Sequence, residues 1–191
     1  MMTLFLIGLV GFLGIHSIAI LAPGWRERAI ARIGAPAWRA PYSVASLAAF
    51  VVMIHGYGIA RQAPVVVYTP PVGLRHVAML LMLPAFTMLL SAYLPGRIKT
   101  RLKHPMLAAV KLWALAHLLA NGTLVDLLLF GGFLAWAVAD RISVGRRPQA
   151  AQRATPRGWL NDAIAVIGGL VLYAAFLLWA HGRWIGVPLL P

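Results

Sequence analysis

The sequence predicts an all-α polytopic membrane protein whose six transmembrane helices form a single membrane domain over residues 1–191. Composition is the first observation behind this prediction: 61% of the residues are apolar and 11% are charged, whereas a soluble domain carries about 25% charged residues. The second is that the apolar residues occur in runs close to the ~20 residues that a membrane-spanning helix needs. The third is the distribution of basic residues between these runs. Together they exclude a disordered chain, a nucleic-acid-binding module and most soluble enzymes. The chain has no Cys, which excludes disulfides and thiolate sites.

Six apolar stretches are the predicted transmembrane helices. They cover residues 3–22, 41–60, 74–94, 105–120, 123–139 and 163–181. The first has no positive charge before its apolar run and no small-x-small cleavage site, so we expect a retained helix and not a signal peptide. Only Asn121 and Gly122 separate the fourth stretch from the fifth, which predicts a tight helical hairpin.

Basic residues are concentrated in three alternate loops, which hold 13 of the 17 Lys and Arg residues. The positive-inside rule places such loops in the cytoplasm. Both termini are therefore expected on the non-cytoplasmic side, as in a multi-pass protein of the bacterial inner membrane. The basic residues of the three loops are Arg26, Arg28, Arg32, Arg39, Arg97, Lys99, Arg101, Lys103, Arg141, Arg146, Arg147, Arg153 and Arg157.

Three of the connecting segments have recognisable character. In residues 25–38, apolar and basic side chains alternate at helical spacing, which predicts a short interfacial helix on anionic lipid; the alternative is a solvated basic loop. Residues 61–73 contain three prolines and are expected to be an extended segment over the helix ends. The loop between the fifth and sixth stretches contains Pro148, Gln149, Gln152 and Pro156 and is expected to be a flexible linker.

Histidines are the most informative polar residues of the apolar stretches, because ionisable groups in a bilayer cost a few kcal/mol and mark functional sites. His117 follows His104 by 13 residues and His55 follows Pro41 by 14, so each lies about 20 Å above the cytoplasmic edge. His16 lies only about 9 Å from that edge. The alternative interpretation of each is a hydrogen bond between helices. The six histidines are His16, His55, His76, His104, His117 and His181.

A neutral imidazole is a good ligand for haem iron. The chain has only four carboxylates, too few for a di-iron centre. Trp113, His117 and Asn121 lie at i, i+4 and i+8 spacing on one helix face, and His104 begins the same stretch beside Pro105. Lys111 is expected either to extend to the inner interface or to pair with Asp126.

Three separated motifs resemble the NnrU family. They are the run from His104 to Gly122, the segment Gly11-Phe-Leu-Gly-Ile-His16-Ser17, and Gly56-Tyr57-Gly58. The resemblance extends from residue 2 to about residue 184. It implies a bacterial multi-pass membrane protein associated with denitrification, the reduction of nitrite and nitric oxide.

A related branch of that family contains zeta-carotene isomerase, a membrane enzyme with haem b. Its axial histidines match His16 and His117, and His55 is an alternative ligand. The resemblance therefore implies haem b on His117 together with His55 or His16, whereas the depth estimate favours His55. Besides the bilayer, the implied partners are a denitrification reductase or an apolar small molecule, and no nucleic acid is expected.

Two other functions remain as hypotheses. Lys103-His104-Pro105 resembles the start of the His-Pro helix in membrane methyltransferases, but those enzymes carry a later acidic motif and this chain has no Glu after Glu27. The other hypothesis is a non-enzymatic accessory protein that assembles or maintains a reductase. The sequence thus leaves enzymatic and non-enzymatic roles open.

Overall fold

The computed structural model describes residues 2–146 and 158–190, and over these residues the chain is helical apart from short connections. A ten-residue π-helix, Phe176–Ile185, continues the last α-helix. The α-helices are α1 (Met2–Leu21), α2 (Pro23–Ile33), α3 (Ala35–Ala60), α4 (Gly73–Ser91), α5 (Arg97–Leu102), α6 (Pro105–Ala120), α7 (Leu124–Arg146) and α8 (Trp159–Ala175).

Within the described residues, five helices are long and apolar enough to cross a membrane: α1, α3, α4, α7, and α8 with its π-helical continuation. The predicted fourth span corresponds to α6, which is apolar but has only 16 residues.

Several helices extend past the predicted apolar spans. Helix α3, which corresponds to the predicted span 41–60, begins six residues before it, at Ala35. Helix α7, which corresponds to the predicted span 123–139, continues beyond it to Arg146. Hydropathy detects the part of a helix that suits the bilayer, whereas the helix continues through the charged turns beyond it. The predicted span 74–94 ends earlier, at Ser91. The predicted linker residues 147–157 lie outside the described part of the chain.

The segment after α1 forms a short helix, as the sequence predicts. This helix, α2, has no buried residue and ends at Ile33, with Gly34 as its C-cap. Gly34 has a φ of 86°, a conformation that glycine adopts readily, and α3 starts immediately after it. The prediction of a helix is confirmed, although a glycine break divides residues 25–38 between two helices.

The helix α5 was not predicted from the sequence. Its first two backbone N–H groups, on Arg97 and Ile98, donate hydrogen bonds to the Asp162 carboxylate at 3.0 Å each. A carboxylate at this end of a helix satisfies N–H groups that have no partner within the helix. The carboxylate comes from a residue more than sixty positions away, and local sequence therefore gives no signal for the helix.

The helices form two compact units. The first comprises Met1–Thr69 and Asn121–Arg146 and contains α1, α2, α3 and α7. In this unit α1 packs along α3, and α7 packs on α1. The largest fully buried side chains of the unit are those of Phe5, Met53 and Val125.

The second unit comprises Pro70–Ala120 and Arg147–Pro191, of which residues 147–157 and 191 are not described. Its helix α4 packs against both α6 and α8. Alanines dominate the buried positions of these helices, so the helix backbones approach closely, as is common in membrane proteins. The buried alanines are Ala78, Ala85, Ala109, Ala114, Ala116, Ala165 and Ala180.

Candidate functional site

His16 lies in the first unit, within a group of aromatic rings. Its Nδ1 donates a hydrogen bond to the Phe12 carbonyl oxygen at 2.8 Å. The His16 ring lies 4.2 Å from the Phe12 ring, 5.5 Å from the Tyr42 ring and 6.0 Å from the Trp136 ring, measured between centroids. Because Nδ1 carries the proton, Nε2 of the neutral ring is the nitrogen with an available lone pair.

Polar atoms beside this group are buried without a partner. Ser46 Oγ and Trp136 Nε1 have no hydrogen-bond partner among the described residues. Trp136 contacts His16, and Ser46 lies one helical turn after Tyr42 on α3. Such atoms are costly in an apolar setting, and they make the surroundings of His16 an unusual part of the first unit.

A cavity of about 210 Å³ lies at the end of α1 that carries His16. Its polar lining comes from His16, Tyr42, Arg26, Arg39 and Trp38. Ligand pockets for drug-sized molecules usually span about 300–1,000 Å³. The cavity is therefore large enough for a small polar group and too small for a porphyrin.

His55 lies on the same unit but at another level. It is exposed on α3, 13 residues after Tyr42, the α3 residue that contacts His16. That spacing corresponds to about 20 Å along a helix. Within the first unit, the structure therefore does not bring the predicted ligands His16 and His55 together.

His117 lies in the second unit, where a second histidine accompanies it. The rings of His117 and His181 have centroids 6.5 Å apart and an interplanar angle of 29°. His117 Nδ1 donates to the Trp113 carbonyl oxygen at 2.8 Å, and His181 Nδ1 donates to the Val187 carbonyl oxygen at 2.7 Å. Metal-ligating histidines typically donate their other ring N–H in this way, which leaves Nε2 as the ligating nitrogen.

His181 was not among the ligands predicted from the sequence. Its ring is brought to His117 by the π-helix that contains it, and the two residues are 64 positions apart. π-Helical turns are rare and frequently occur at functional sites. Depth is the only sequence signal for this pair, since His117 is expected about 20 Å above the cytoplasmic edge and His181 is the last residue of the sixth predicted span, at its outer end.

The other predicted site residues have separate positions. The Trp113 ring lies 5.3 Å from that of His117, which confirms that the two residues share a face of α6. His104 directly precedes this helix, and its carbonyl oxygen accepts a hydrogen bond from the Ala108 N–H. Asn121 lies just beyond the last helical residue, and its carbonyl oxygen accepts a hydrogen bond from the Tyr68 hydroxyl at 2.9 Å.

Asp126 is the buried carboxylate of the first unit, with 5% of its surface exposed. It accepts hydrogen bonds from the Tyr57 hydroxyl and the Thr123 hydroxyl, each at 2.6 Å. The Arg61 guanidinium lies 5.5 Å from the centre of the Tyr57 ring. The structure thus places Asp126 in a buried hydrogen-bonded group, which tethers α3 to the start of α7.

Replacing Tyr57 with phenylalanine is expected to lower the free energy of unfolding by about 1–3 kcal/mol, because the buried carboxyl group of Asp126 loses a short hydrogen bond. The matched control is Tyr93→Phe, since 72% of Tyr93 is exposed. Thermal unfolding in detergent, followed by tryptophan fluorescence, measures both variants. Equal midpoints for the two variants would show that the bond to Asp126 contributes nothing to stability.

Among the described residues, no group of three or more His, Asp or Glu side chains is arranged to hold a metal ion. The described sites instead provide one or two imidazoles each. Together with the long apolar helices, they define a helical multi-pass membrane protein with histidines within its helix packing.

The chain belongs to the NnrU protein family, whose match covers residues 4–189. This match confirms the resemblance seen in the His104–Gly122 run and in the motifs of α1 and α3. No curated protein and no solved structure is significantly similar to the chain.

Proposed function

We propose that this NnrU protein is a haem b protein of the bacterial inner membrane that acts in nitrite or nitric oxide metabolism. The observation that carries the proposal is the His117–His181 pair. Of the three ligands predicted from the sequence, His117 is retained, and His181 is proposed as its partner. His16 and His55 remain predicted ligands of the first unit.

The donor set of the second unit fits haem iron. A metal–nitrogen distance of about 2 Å places the centres of two imidazoles on one iron about 6 Å apart. The observed separation of the two rings is 6.5 Å. Two protein ligands suffice for haem, because the porphyrin supplies the other four nitrogens, whereas a structural zinc site needs four.

The neighbouring residues would fix the two ligands. The Trp113 and Val187 carbonyl oxygens hold the protons on Nδ1, which sets the tautomer and the ring orientation. Haem iron held by His117 and His181 would supply one-electron redox chemistry. The protein's own contribution is to orient the imidazoles and to keep them in an apolar environment, which tunes the potential of such a centre.

The proposed topology has six membrane spans, the number predicted from the sequence. Helix α6 would be the fourth span in chain order and would bring the total to six. The basic loops would face the cytoplasm, with both termini on the opposite side. The 16 residues of α6 extend about 24 Å, which is short of the ~30 Å hydrocarbon core and needs a local adjustment of the bilayer. The proposed partners are the lipid bilayer and either a denitrification reductase or an apolar small molecule.

Reduced-minus-oxidised spectra of the protein, expressed with haem supplied and purified in detergent, test the proposal. We expect Soret and α bands in the wild type, and we expect His117→Ala and His181→Ala each to reduce the bound haem at least about tenfold, because even the loss of a group that only orients a metal ligand costs about 10–100-fold. His76→Ala is the matched control, because His76 is an exposed histidine of α4 in the same unit.

The remaining variants separate the ligand sets. If His181→Ala keeps its spectrum while His16→Ala or His55→Ala loses it, the ligands predicted from the sequence replace the pair proposed here. If the wild type shows neither band, the protein does not bind haem. A strain that carries His117→Ala at the chromosomal locus is expected to consume nitrite or nitric oxide more slowly, and unchanged consumption would contradict the role in denitrification.

A further inference from the structure

We infer that the cavity beside His16 binds the phosphate group of an anionic phospholipid. The cavity holds about 210 Å³ and is formed by the end of α1, the start of α2 and the first turns of α3. It lies wholly within the first unit, so the inference is independent of haem binding at His117 and His181.

Charge is the first argument for an anionic ligand. Arg26 and Arg39 both line the cavity, and neither forms an ion pair with a described residue. Tyr42, in the cavity wall, is close enough to two charged side chains to feel both: the acidic Asp140 and the basic Arg26. Two guanidinium groups against one carboxylate leave the cavity positively charged, and the planar donor fork of arginine matches phosphate oxygens.

The other polar groups of the wall can complete such a site. Tyr42 contributes a hydroxyl, and Trp38 contributes an indole whose position is set by the Trp25 ring at 5.6 Å. His16 faces the same cavity with Nδ1 already bonded to the Phe12 carbonyl. These groups differ in donor type but converge on one small volume, which suits a tetrahedral oxyanion better than a flat cofactor.

Apolar residues around the cavity favour a lipid over free phosphate. Ile15 and Ile18 of α1 form part of the wall. The neighbouring helix surfaces carry further exposed apolar side chains, with Leu21 82% exposed and Val44 68% exposed. An acyl chain can lie on this surface while its phosphate contacts the arginines, and basic pockets between membrane helices are known to bind anionic headgroups in this way. Free phosphate would use only the polar part of the wall.

Native mass spectrometry of the full chain in detergent tests the inference, with phosphatidylglycerol, phosphatidylcholine and inorganic phosphate as separate probes. We expect one phosphatidylglycerol to bind tightly to the wild type, and the double variant Arg26→Gln with Arg39→Gln to weaken this binding at least about tenfold. The matched control is Arg28→Gln with Arg32→Gln. It removes the same charge from exposed positions of α2 that do not line the cavity, and we expect a loss of less than about threefold.

Each other outcome overturns the inference. Equal losses in the two double variants would indicate diffuse attraction to the basic surface. Competition by inorganic phosphate at concentrations equal to those of the lipid would indicate a site for a free anion, and equal binding of phosphatidylcholine would show that the charge is irrelevant. The single variant Arg39→Gln changes an exposed residue, so it keeps the test decisive if the double variant does not fold.

Discussion

The Gly56→Val variant is expected to lose the packing of α1 on α3 and to unfold well below the wild-type temperature. A Cβ atom at Gly56 would lie 2.6 Å from Phe5 Cα and 2.8 Å from the Leu4 carbonyl carbon. The obstacle is the backbone of α1, which cannot rotate away as a flexible side chain can. Overpacking a core costs about 1–3 kcal/mol in ordinary cases, and we expect valine to exceed that range here.

Helix α1 also contributes a glycine to its contact with α3. A Cβ atom at Gly8 of α1 would lie 2.5 Å from Met53 Cα on α3. The two glycines therefore let the helix backbones touch over two consecutive turns. Helices in lipid gain no hydrophobic free energy from association, so such close packing supplies much of the attraction between them. The first unit depends on it, because Phe5 and Met53 are two of its largest buried residues.

A neighbouring glycine provides the control for this prediction. Gly58 lies two residues from Gly56 on the same helix, and a Cβ atom there would meet open space. Gly58→Ala is expected to leave stability unchanged or to raise it by up to about 1 kcal/mol, because alanine favours helices, whereas Gly56→Ala is expected to lower it by about 1–3 kcal/mol. Thermal unfolding in detergent compares the two. The interpretation of Gly56 as a packing glycine fails if both alanine variants unfold at the same temperature.

The glycines of α1 show how far sequence alone can go. Gly8, Gly11 and Gly14 recur at a spacing of three residues, which predicts a surface of small residues where a macrocycle or another helix can approach. In the structure only Gly8 meets a backbone, Gly11 would make an ordinary 3.5 Å contact with Ala49, and Gly14 meets open space. The spacing predicts which glycines share a face, but the crossing of the helices decides which of them is at the contact.

In the candidate sites too, contacts within one helix could be predicted, whereas contacts between distant segments could not. The contact of Trp113 with His117 follows from i, i+4 spacing and was predicted. The contacts of His117 with His181 and of Tyr57 with Asp126 join residues 64 and 69 positions apart, and no local pattern encodes them. The π-helix that carries His181 is equally hidden, because its sequence continues the apolar run of the preceding α-helix without a break.

The Gly122→Ala variant is expected to detach the extended segment before α4 from the start of α7. The Gly122 carbonyl oxygen accepts hydrogen bonds from the N–H groups of Val67 and Tyr68, at 2.9 and 3.1 Å. A Cβ atom at Gly122 would overlap the Tyr68 carbonyl group, whose carbon would lie 2.8 Å away. The backbones must therefore separate, and these two hydrogen bonds, each worth about 1 kcal/mol, weaken together.

Separation of these backbones would also disturb the hydrogen bonds of the buried Asp126 carboxylate. Thr123 follows Gly122, forms an antiparallel bridge with Val66, and donates its hydroxyl to Asp126. A shift of Thr123 would thus remove one of the two hydroxyl donors of Asp126. The three weakened hydrogen bonds together are expected to lower the free energy of unfolding by about 3 kcal/mol. The matched control is Gly131→Ala on α7, where a Cβ atom would meet open space.

Hydrogen–deuterium exchange gives the most direct measurement of this effect. In Gly122→Ala we expect faster exchange at the amides of Val67, Tyr68 and Leu124, whose N–H groups donate to Gly122 or Val65, and wild-type exchange in the middle of α3. Faster exchange throughout the first unit would mean that the segment supports the whole unit and not only its own attachment. Unchanged exchange at Val67 and Leu124 would mean that Gly122 is not required for close approach. In that case the segment would owe its position to the Tyr68 hydroxyl on Asn121, and Tyr68→Phe would be the variant that releases it.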